Sequence, residues 1–123
     1  MKVIATNKAP AALGPYSQAI DTGNTLYVSG CLGLIPETGA LAGDNIEAQA
    51  AQALKNIEAI LAEAGYSKEN IVRCDVFLAD LADFASFNKV YADFFGNHKP
   101  ARNCVQAALV KSAKVEICPI AVK

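Results

Sequence analysis

The sequence predicts an α+β fold in which two helices pack on one face of a mixed β-sheet. Two stretches repeat apolar residues every three or four positions, and each is followed by a run of strand formers. The N-terminal third alternates apolar and polar residues between turn signals, which is typical of a β-hairpin. Strands that follow one another through a helix are joined by crossovers and pair in parallel, so both parallel and antiparallel pairs are expected.

The N-terminal third is expected to contain short strands and turns. Strands are predicted at residues 2–5, 16–20 and 25–30. The last two should form an antiparallel hairpin around the Gly23-Asn24 tip, because both residue types favour tight turns. Leu26 and Val28 alternate with more polar residues, so one face of the third strand is expected to be buried. A further turn is predicted at Pro36-Glu37-Thr38-Gly39.

The most regular segment predicts a helix of about 20 residues. We expect Asp44 to begin it as a capping box, accepting a hydrogen bond from the backbone N–H of Glu47. Gly65 should end it, because glycine readily takes the left-handed conformation. Its apolar face is predicted to comprise Ile46, Ala50, Ala53, Leu54, Ile57, Ile60, Leu61 and Ala64.

The C-terminal half predicts a capped turn, a strand, a second helix and two more strands. The turn is expected at 67–70, and the strands at 71–79, 103–110 and 114–122. Alternation places Val72, Cys74, Val76 and Leu78 on one strand face. Asp80 or Asp83 should cap the second helix, and Gly96 should end it. Its apolar face is predicted to comprise Leu81, Phe84, Phe87, Val90, Tyr91, Phe94 and Phe95.

Composition limits the function classes. The 123 residues suit a single domain spanning 1–123, and 53% of them are hydrophobic. That excess, and a sheet face with no helix to cover it, indicate burial against another subunit. A formal net charge of -1 and the absence of tryptophan argue against a nucleic-acid partner. No apolar run reaches 18 residues and no signal peptide is evident, so neither a membrane span nor export is expected, and the location should be cytoplasmic.

The cysteines and the histidine do not indicate a metal site. The four cysteines form no Cys-x-x-Cys pair, and His98 is the only histidine. Free thiols in a reducing compartment are therefore the better interpretation, and no metal and no cofactor are expected.

Arg102, Cys104 and Glu116 are the strongest candidate site residues. Arg102 and Cys104 are two positions apart on a predicted strand and point the same way, and Glu116 is the one acid on the next strand. Arginine can hold a carboxylate through two hydrogen bonds, and a glutamate can orient or deprotonate water. The alternatives are a surface ion pair for Arg102 and an exposed strand position for Glu116. Cys104 could be a nucleophile, but catalytic cysteines usually need a base and His98 is the only imidazole, so a pocket wall is the better interpretation. A simple hairpin of the last two strands would separate Glu116 from Cys104, so a shared site requires another register or an intervening strand.

Weaker candidates lie on turns and on the second helix. Tyr16 follows the Gly14-Pro15 turn and is equally compatible with capping a pocket or with packing. Gly30, between Ser29 and Cys31, would allow a ligand to approach the backbone closely. Asn88 would ordinarily face solvent, and the phenylalanines beside it would be core.

Five motifs in order resemble the Rid (reactive intermediate deaminase) family, also called the YjgF or L-PSP family. They are Gly14-Pro15-Tyr16-Ser17-Gln18-Ala19-Ile20, Leu26-Tyr27-Val28-Ser29-Gly30, Pro36-Glu37-Thr38-Gly39, Phe87-Asn88-x-Val90-Tyr91-x-x-Phe94-Phe95 and Pro100-Ala101-Arg102-x-Cys104-Val105, followed by Val115-Glu116-Ile117. The resemblance implies a chorismate-mutase-like fold and a homotrimer with clefts between subunits. It also implies that the last two strands are not hairpin neighbours.

The RidA branch of that family hydrolyses 2-imino and 2-enamino acids, such as 2-iminobutanoate and 2-iminopropanoate, to 2-oxo acids and ammonia. The resemblance implies that Arg102 holds the substrate carboxylate, that Glu116 positions the attacking water and that Cys104 lines the pocket. Tyr16, Ser29, Gly30 and Asn88 match positions around the ligand. Cys31 and Cys118 depart from the family pattern, where glutamine and an acid are usual, and the connection at 111–113 is one residue short. The rival hypotheses are a non-catalytic trimeric metabolite-binding protein, an RNA-acting translation inhibitor and a thiol-based stress protein.

Overall fold

The computed structural model describes residues 1–123, which form a seven-stranded sheet and two α-helices. The strands are β1 (Lys2–Ile4), β2 (Ala19–Asp21), β3 (Thr25–Val28), β4 (Cys31–Leu32), β5 (Ile71–Leu78), β6 (Ala101–Gln106) and β7 (Val115–Val122). The helices are α1 (Ile46–Ala64) and α2 (Phe84–Phe95). The predicted α+β fold is confirmed.

The sheet is mixed, with β7 near its centre. The strand order is β1-β2-β3-β7-β5-β6, and β4 also pairs with β7. Only β5 and β6, which α2 connects, run parallel; the other pairs are antiparallel. Because β5 lies between β6 and β7, the last two strands are not hairpin neighbours, as the family resemblance implied.

The core lies between the two helices and one face of the sheet. Leu26 on β3, Val76 on β5 and Ile117 on β7 are at most 1% exposed, and they face buried residues of α1 such as Leu54 and Ile57. These residues form one continuous apolar cluster with the buried aromatic residues of α2. Burial of this continuous surface is the main term that stabilises the fold.

The N-cap of the first helix lies one residue after the predicted cap. Asn45, rather than Asp44, has the extended N-cap conformation, and its side chain accepts a hydrogen bond from the backbone N–H of Ala48 at 2.8 Å. Asp and Asn can both cap a helix, and the residue whose backbone is extended just before the first helical turn becomes the cap. Gly65 ends the helix in the left-handed conformation, with φ of 80°, as expected.

Several strands differ from their predicted bounds for identifiable reasons. The strand predicted at 16–20 begins only at Ala19, because the Gln18 side chain instead donates to Pro10 O at 2.7 Å and accepts from Thr6 N at 2.7 Å. The strand predicted at 103–110 runs from Ala101 to Gln106 and ends level with the last residue of its partner β5. Val72 is 47% exposed rather than buried, because the register with β7 shifts between Ile71 and Arg73.

No helix covers the second face of the sheet. Strand register aligns Val3, Ile20, Tyr27 and Ile120 across this face. Tyr27 is 52% exposed, and Val105 at the far edge is 48% exposed. We call this the open face. Neither helix combines the length and apolar character needed to cross a membrane.

Candidate active site

The predicted site residues are divided between the two faces of the sheet. Arg102 and Cys104 lie opposite Cys74 and Val76, whose side chains are buried under the helices. Directly paired residues share a face, so Arg102 and Cys104 lie on the helix-covered face. Glu116 pairs with Phe77, which alternates with those buried residues and therefore lies on the open face.

The side chain of Arg102 lies among aromatic rings of α2. Its Cζ atom is 4.9 Å from the ring centre of Tyr91, 5.5 Å from that of Phe84 and 5.9 Å from that of Phe87. Its Nη1 donates a hydrogen bond to Asn88 Oδ1 at 2.8 Å. We call these five residues the arginine cage. Cation–π contacts of this kind hold a guanidinium in place without neutralising it.

No acid neutralises Arg102. The one ion pair in the structure joins Arg73 and Asp75 at 3.1 Å, on the open face. Guanidinium has five N–H donors, and Asn88 accepts only one hydrogen bond from Arg102. A half-buried cation with free donors and an apolar surround is suited to bind a carboxylate.

The rings of the cage were missed as site residues. Phe84 was expected in the core, but it is 38% exposed. Helix position alone would place Asn88 in solvent, whereas the family resemblance placed it near the ligand; it is half-buried and bonded to Arg102. Positions 84, 87, 88 and 91 follow the helical spacing of three and four, so they share one helix face. That spacing, together with an arginine on the following strand, was the available signal.

The second group of residues forms around a bulge between β3 and β4. Tyr27 pairs with Ile120, and Cys31 pairs with Ile117. The chain therefore advances four residues from β3 to β4 while β7 advances only three. The extra residue lies at Ser29-Gly30, and bulges of this kind redirect side chains. The Ser29 hydroxyl donates to Ser17 O at 2.6 Å, which ties the bulge to the chain after Tyr16.

A cavity of about 920 Å³ opens beside this bulge. Five of the predicted residues line it, namely Tyr16, Ser29, Gly30, Cys31 and Glu116. Arg102, Asn88 and Cys104 do not line it. One chain therefore holds two separate half-sites, the arginine cage with Cys104 and the Glu116 cavity.

Comparison with known proteins identifies the family. The model of the family described as Endoribonuclease L-PSP matches residues 6–123. The chain belongs to the L-PSP family, also called the YjgF or Rid family. It is 50% identical over 117 residues to Reactive Intermediate Deaminase A, chloroplastic, of Arabidopsis thaliana. The aligned region covers 94% of this chain and 63% of that protein.

Other L-PSP relatives match over nearly their whole length. A mouse protein named 2-iminobutanoate/2-iminopropanoate deaminase is 47% identical over 123 residues, covering 99% of this chain and 91% of that protein. The crystal structure of E. coli TdcF with bound serine superimposes with a TM-score of 0.95 at 43% identity, covering 100% of this chain and 99% of that one. The expected YjgF/L-PSP fold is confirmed.

The thiols of this L-PSP protein are poor nucleophiles near neutral pH. Burial raises the pKa of Cys104, although the Arg102 charge acts in the opposite direction. Burial also raises the pKa of Cys31 to about 12 and that of Cys118 to about 11. All four cysteines are free, and no group of three or more His, Cys, Asp or Glu side chains is arranged to hold a metal ion.

Proposed function

We propose that this protein hydrolyses 2-imino and 2-enamino acids to 2-oxo acids and ammonia. An enamine first gains a proton at its β-carbon and becomes the imine. Water then adds to the carbon of the protonated imine and loses one proton, which forms a carbinolamine. The hydroxyl proton of the carbinolamine passes to its nitrogen, the C–N bond breaks with its electron pair leaving on ammonia, and the oxygen becomes the carbonyl. Protonation of the enamine needs a proton donor, addition of water needs an oriented water and a proton acceptor, and we expect no cofactor.

The observation that carries this proposal is that the positive charge of Arg102 has no acidic partner within the arginine cage. Arg102 is held by Asn88 and three rings but is paired with no acid. A 2-imino acid has a planar carboxylate beside its reactive carbon, and guanidinium matches that group with two parallel hydrogen bonds. We therefore assign carboxylate binding to Arg102 and positioning of Arg102 to Asn88.

We further propose a homotrimer in which the half-sites of neighbouring subunits meet. Arg102 and Glu116 lie on opposite faces of the sheet, and Arg102 does not line the cavity that Glu116 lines, so the two residues do not share a pocket in a single chain. The open face carries exposed Tyr27 and Val105, which association would remove from water. In this arrangement Glu116 of one subunit activates water for a substrate whose carboxylate is bound by its neighbour's Arg102.

The remaining predicted residues shape the cavity around the substrate. Tyr16 is 55% exposed at the rim, so it can cap a ligand. Ser29 is bonded to the backbone and contributes position rather than a free hydroxyl. Cys31 is buried and forms part of the wall.

The test couples a serine or threonine dehydratase to this protein and follows the release of ammonia or 2-oxo acid. We expect imine decay to accelerate in proportion to the concentration of the protein. Arg102→Ala should remove the acceleration while sedimentation shows an intact trimer. An unchanged rate of imine decay with the wild-type protein would exclude the proposed activity.

A binding protein without turnover is the second candidate. The E. coli TdcF structure contains bound serine, so a relative binds a small amino acid. Binding of a 2-oxo acid with no acceleration of imine hydrolysis would favour this candidate. The family description as an endoribonuclease has weaker support, because the Nε2 atom of the sole imidazole, His98, is 2.6 Å from Ile71 O and is held by that hydrogen bond.

A further inference from the structure

We infer that Gly30 is a positioning residue whose missing side chain leaves the space occupied by the Glu116 carboxyl group. This inference rests on the proposed function, because it assigns the position of the group that activates water. A Cβ atom built at Gly30 would lie 2.6 Å from Cδ and 2.9 Å from Oε1 of Glu116. Real Cβ contacts are essentially never this short, so an alanine at this position would displace the carboxyl.

Backbone conformation does not explain this glycine. Four glycines of the chain have positive φ, and Gly30 is not among them. An L-residue can therefore adopt its backbone angles. Gly30 is also on the surface, so packing against the core does not exclude a side chain there. The three atoms nearest to a Cβ at this position all belong to the Glu116 side chain.

The surrounding strands keep Glu116 against Gly30. Glu116 pairs with Leu32 on one side and Phe77 on the other, and both neighbours are half-buried. The bulge at Ser29-Gly30 brings the glycine backbone over the carboxyl, and Ser29 fixes that bulge through Ser17 O. The close approach that the sequence assigned to a ligand at Gly30 is thus made by a side chain of the same chain.

Gly30→Ala should therefore act on turnover more than on binding. A displacement of about 1 Å in a catalytic group can lower a rate by about 100-fold, so we expect a fall in kcat of that order. KM should change little, because Arg102 lies on the opposite face and holds the carboxylate. An unchanged kcat, or a rise in KM alone, would overturn the inference; the second result would show that Gly30 serves substrate approach.

Rescue by a shorter acid sharpens the test. Glu116→Asp withdraws the carboxyl from position 30, so the loss of kcat that it causes should be smaller in the Gly30→Ala background than in the wild type. Equal losses in the two backgrounds would show that the residues act independently. Gly33→Ala is the contrasting variant, because its Cβ would clash with the α1 backbone at Gln49 O rather than with a flexible side chain. It should therefore lower Tm by more than Gly30→Ala does.

A measurement without turnover separates this inference from the proposed function. Thermal unfolding should show that Gly30→Ala lowers Tm in the wild type and lowers it less in the Glu116→Ala background, where the carboxyl is absent. This comparison also applies if Gly30→Ala folds poorly. Equal Tm losses would overturn the contact. A wild-type protein that does not hydrolyse imines would overturn the proposed function while leaving this Tm comparison decisive for Gly30.

Discussion

The two half-sites differ in what completes them. The arginine cage is built within the helix-covered face, where α2 provides Asn88 and the rings around Arg102. Glu116 instead lies on the open face, beside a bulge and a cavity of about 920 Å³. Side chains of α2 position the Arg102 charge within one chain, whereas Arg102 does not line the cavity beside Glu116. Binding should therefore depend on local packing around Arg102, and turnover should depend on what covers the open face.

Dissociating the proposed homotrimer tests this comparison most severely. Tyr27→Asp places a charge at the centre of the open face, where association would bury it without a partner. We expect sedimentation to show the 12.9 kDa monomer and the deaminase assay to show no activity above background. Ala51→Asp, on the exposed side of α1, is the control and should remain a trimer. An active Tyr27→Asp monomer would show that one chain holds a complete site.

Loss of the Arg102 charge should have the next largest effect. Removing one partner of a desolvated, hydrogen-bonded charge pair costs about 2–5 kcal/mol, so Arg102→Ala should lower kcat/KM by about 30-fold to about 5,000-fold. Arg102→Lys should recover only part, because ammonium lacks the planar fork. Steady-state kinetics with 2-iminobutanoate provide the measurement. Wild-type kcat/KM in a folded Arg102→Ala variant would contradict carboxylate binding at this residue.

Glu116 should affect kcat rather than KM. General acid–base groups typically contribute about 10²–10⁴-fold, and we expect Glu116→Gln to lower kcat within that range. Binding of a 2-oxo acid, measured by calorimetry, should remain close to that of wild type, because Arg102 is untouched. Weaker binding of the 2-oxo acid together with a preserved kcat would reverse the roles assigned to the two half-sites.

Substitutions of Asn88 test whether substrate binding requires that Arg102 has no acidic partner in the cage. A hydrogen bond to a charged group is worth about 1.5–3 kcal/mol, so Asn88→Ala should raise KM by about tenfold or more. Asn88→Asp keeps the shape but supplies a carboxylate that competes with the substrate for Arg102. We expect its KM to exceed that of Asn88→Ala, and the opposite order would mean that Asn88 serves packing alone.

Cys104 should have the smallest effect. Since burial raises its pKa, the thiol stays protonated through neutral pH, and a thiolate would accumulate only at alkaline pH. Cys104→Ala should therefore change kcat/KM by less than about threefold, the size of an ordinary packing change. The rate should also show no rise between pH 7 and 9 that depends on this thiol. An alkaline rise that Cys104→Ala abolishes would indicate a covalent mechanism.

The sequence predicted the helices and strands better than their arrangement in the sheet. Apolar spacing identified α1 and α2, and Gly65 ends α1 as expected. Alternation also placed Arg102 and Cys104 on the same side of one strand. The cap at Asn45 was missed because Asp44 and Asn45 can both cap a helix and the tertiary fold selects between them. The bulge at Val72 was missed because it arises from the pairing of β5 with β7.

Only the tertiary structure decided which face each strand shows to its neighbours. Alternation tells which residues of one strand share a side, but a change of register by one residue reverses that side relative to the next strand. The placement of β7 between β3 and β5 and the extra residue at Gly30 arise from pairings between distant segments. By itself the sequence determined that this chain carries Arg102, Glu116 and two amphipathic helices. Long-range strand pairing separated the arginine from the glutamate, because the partners of a strand are chosen by the packing of the whole sheet.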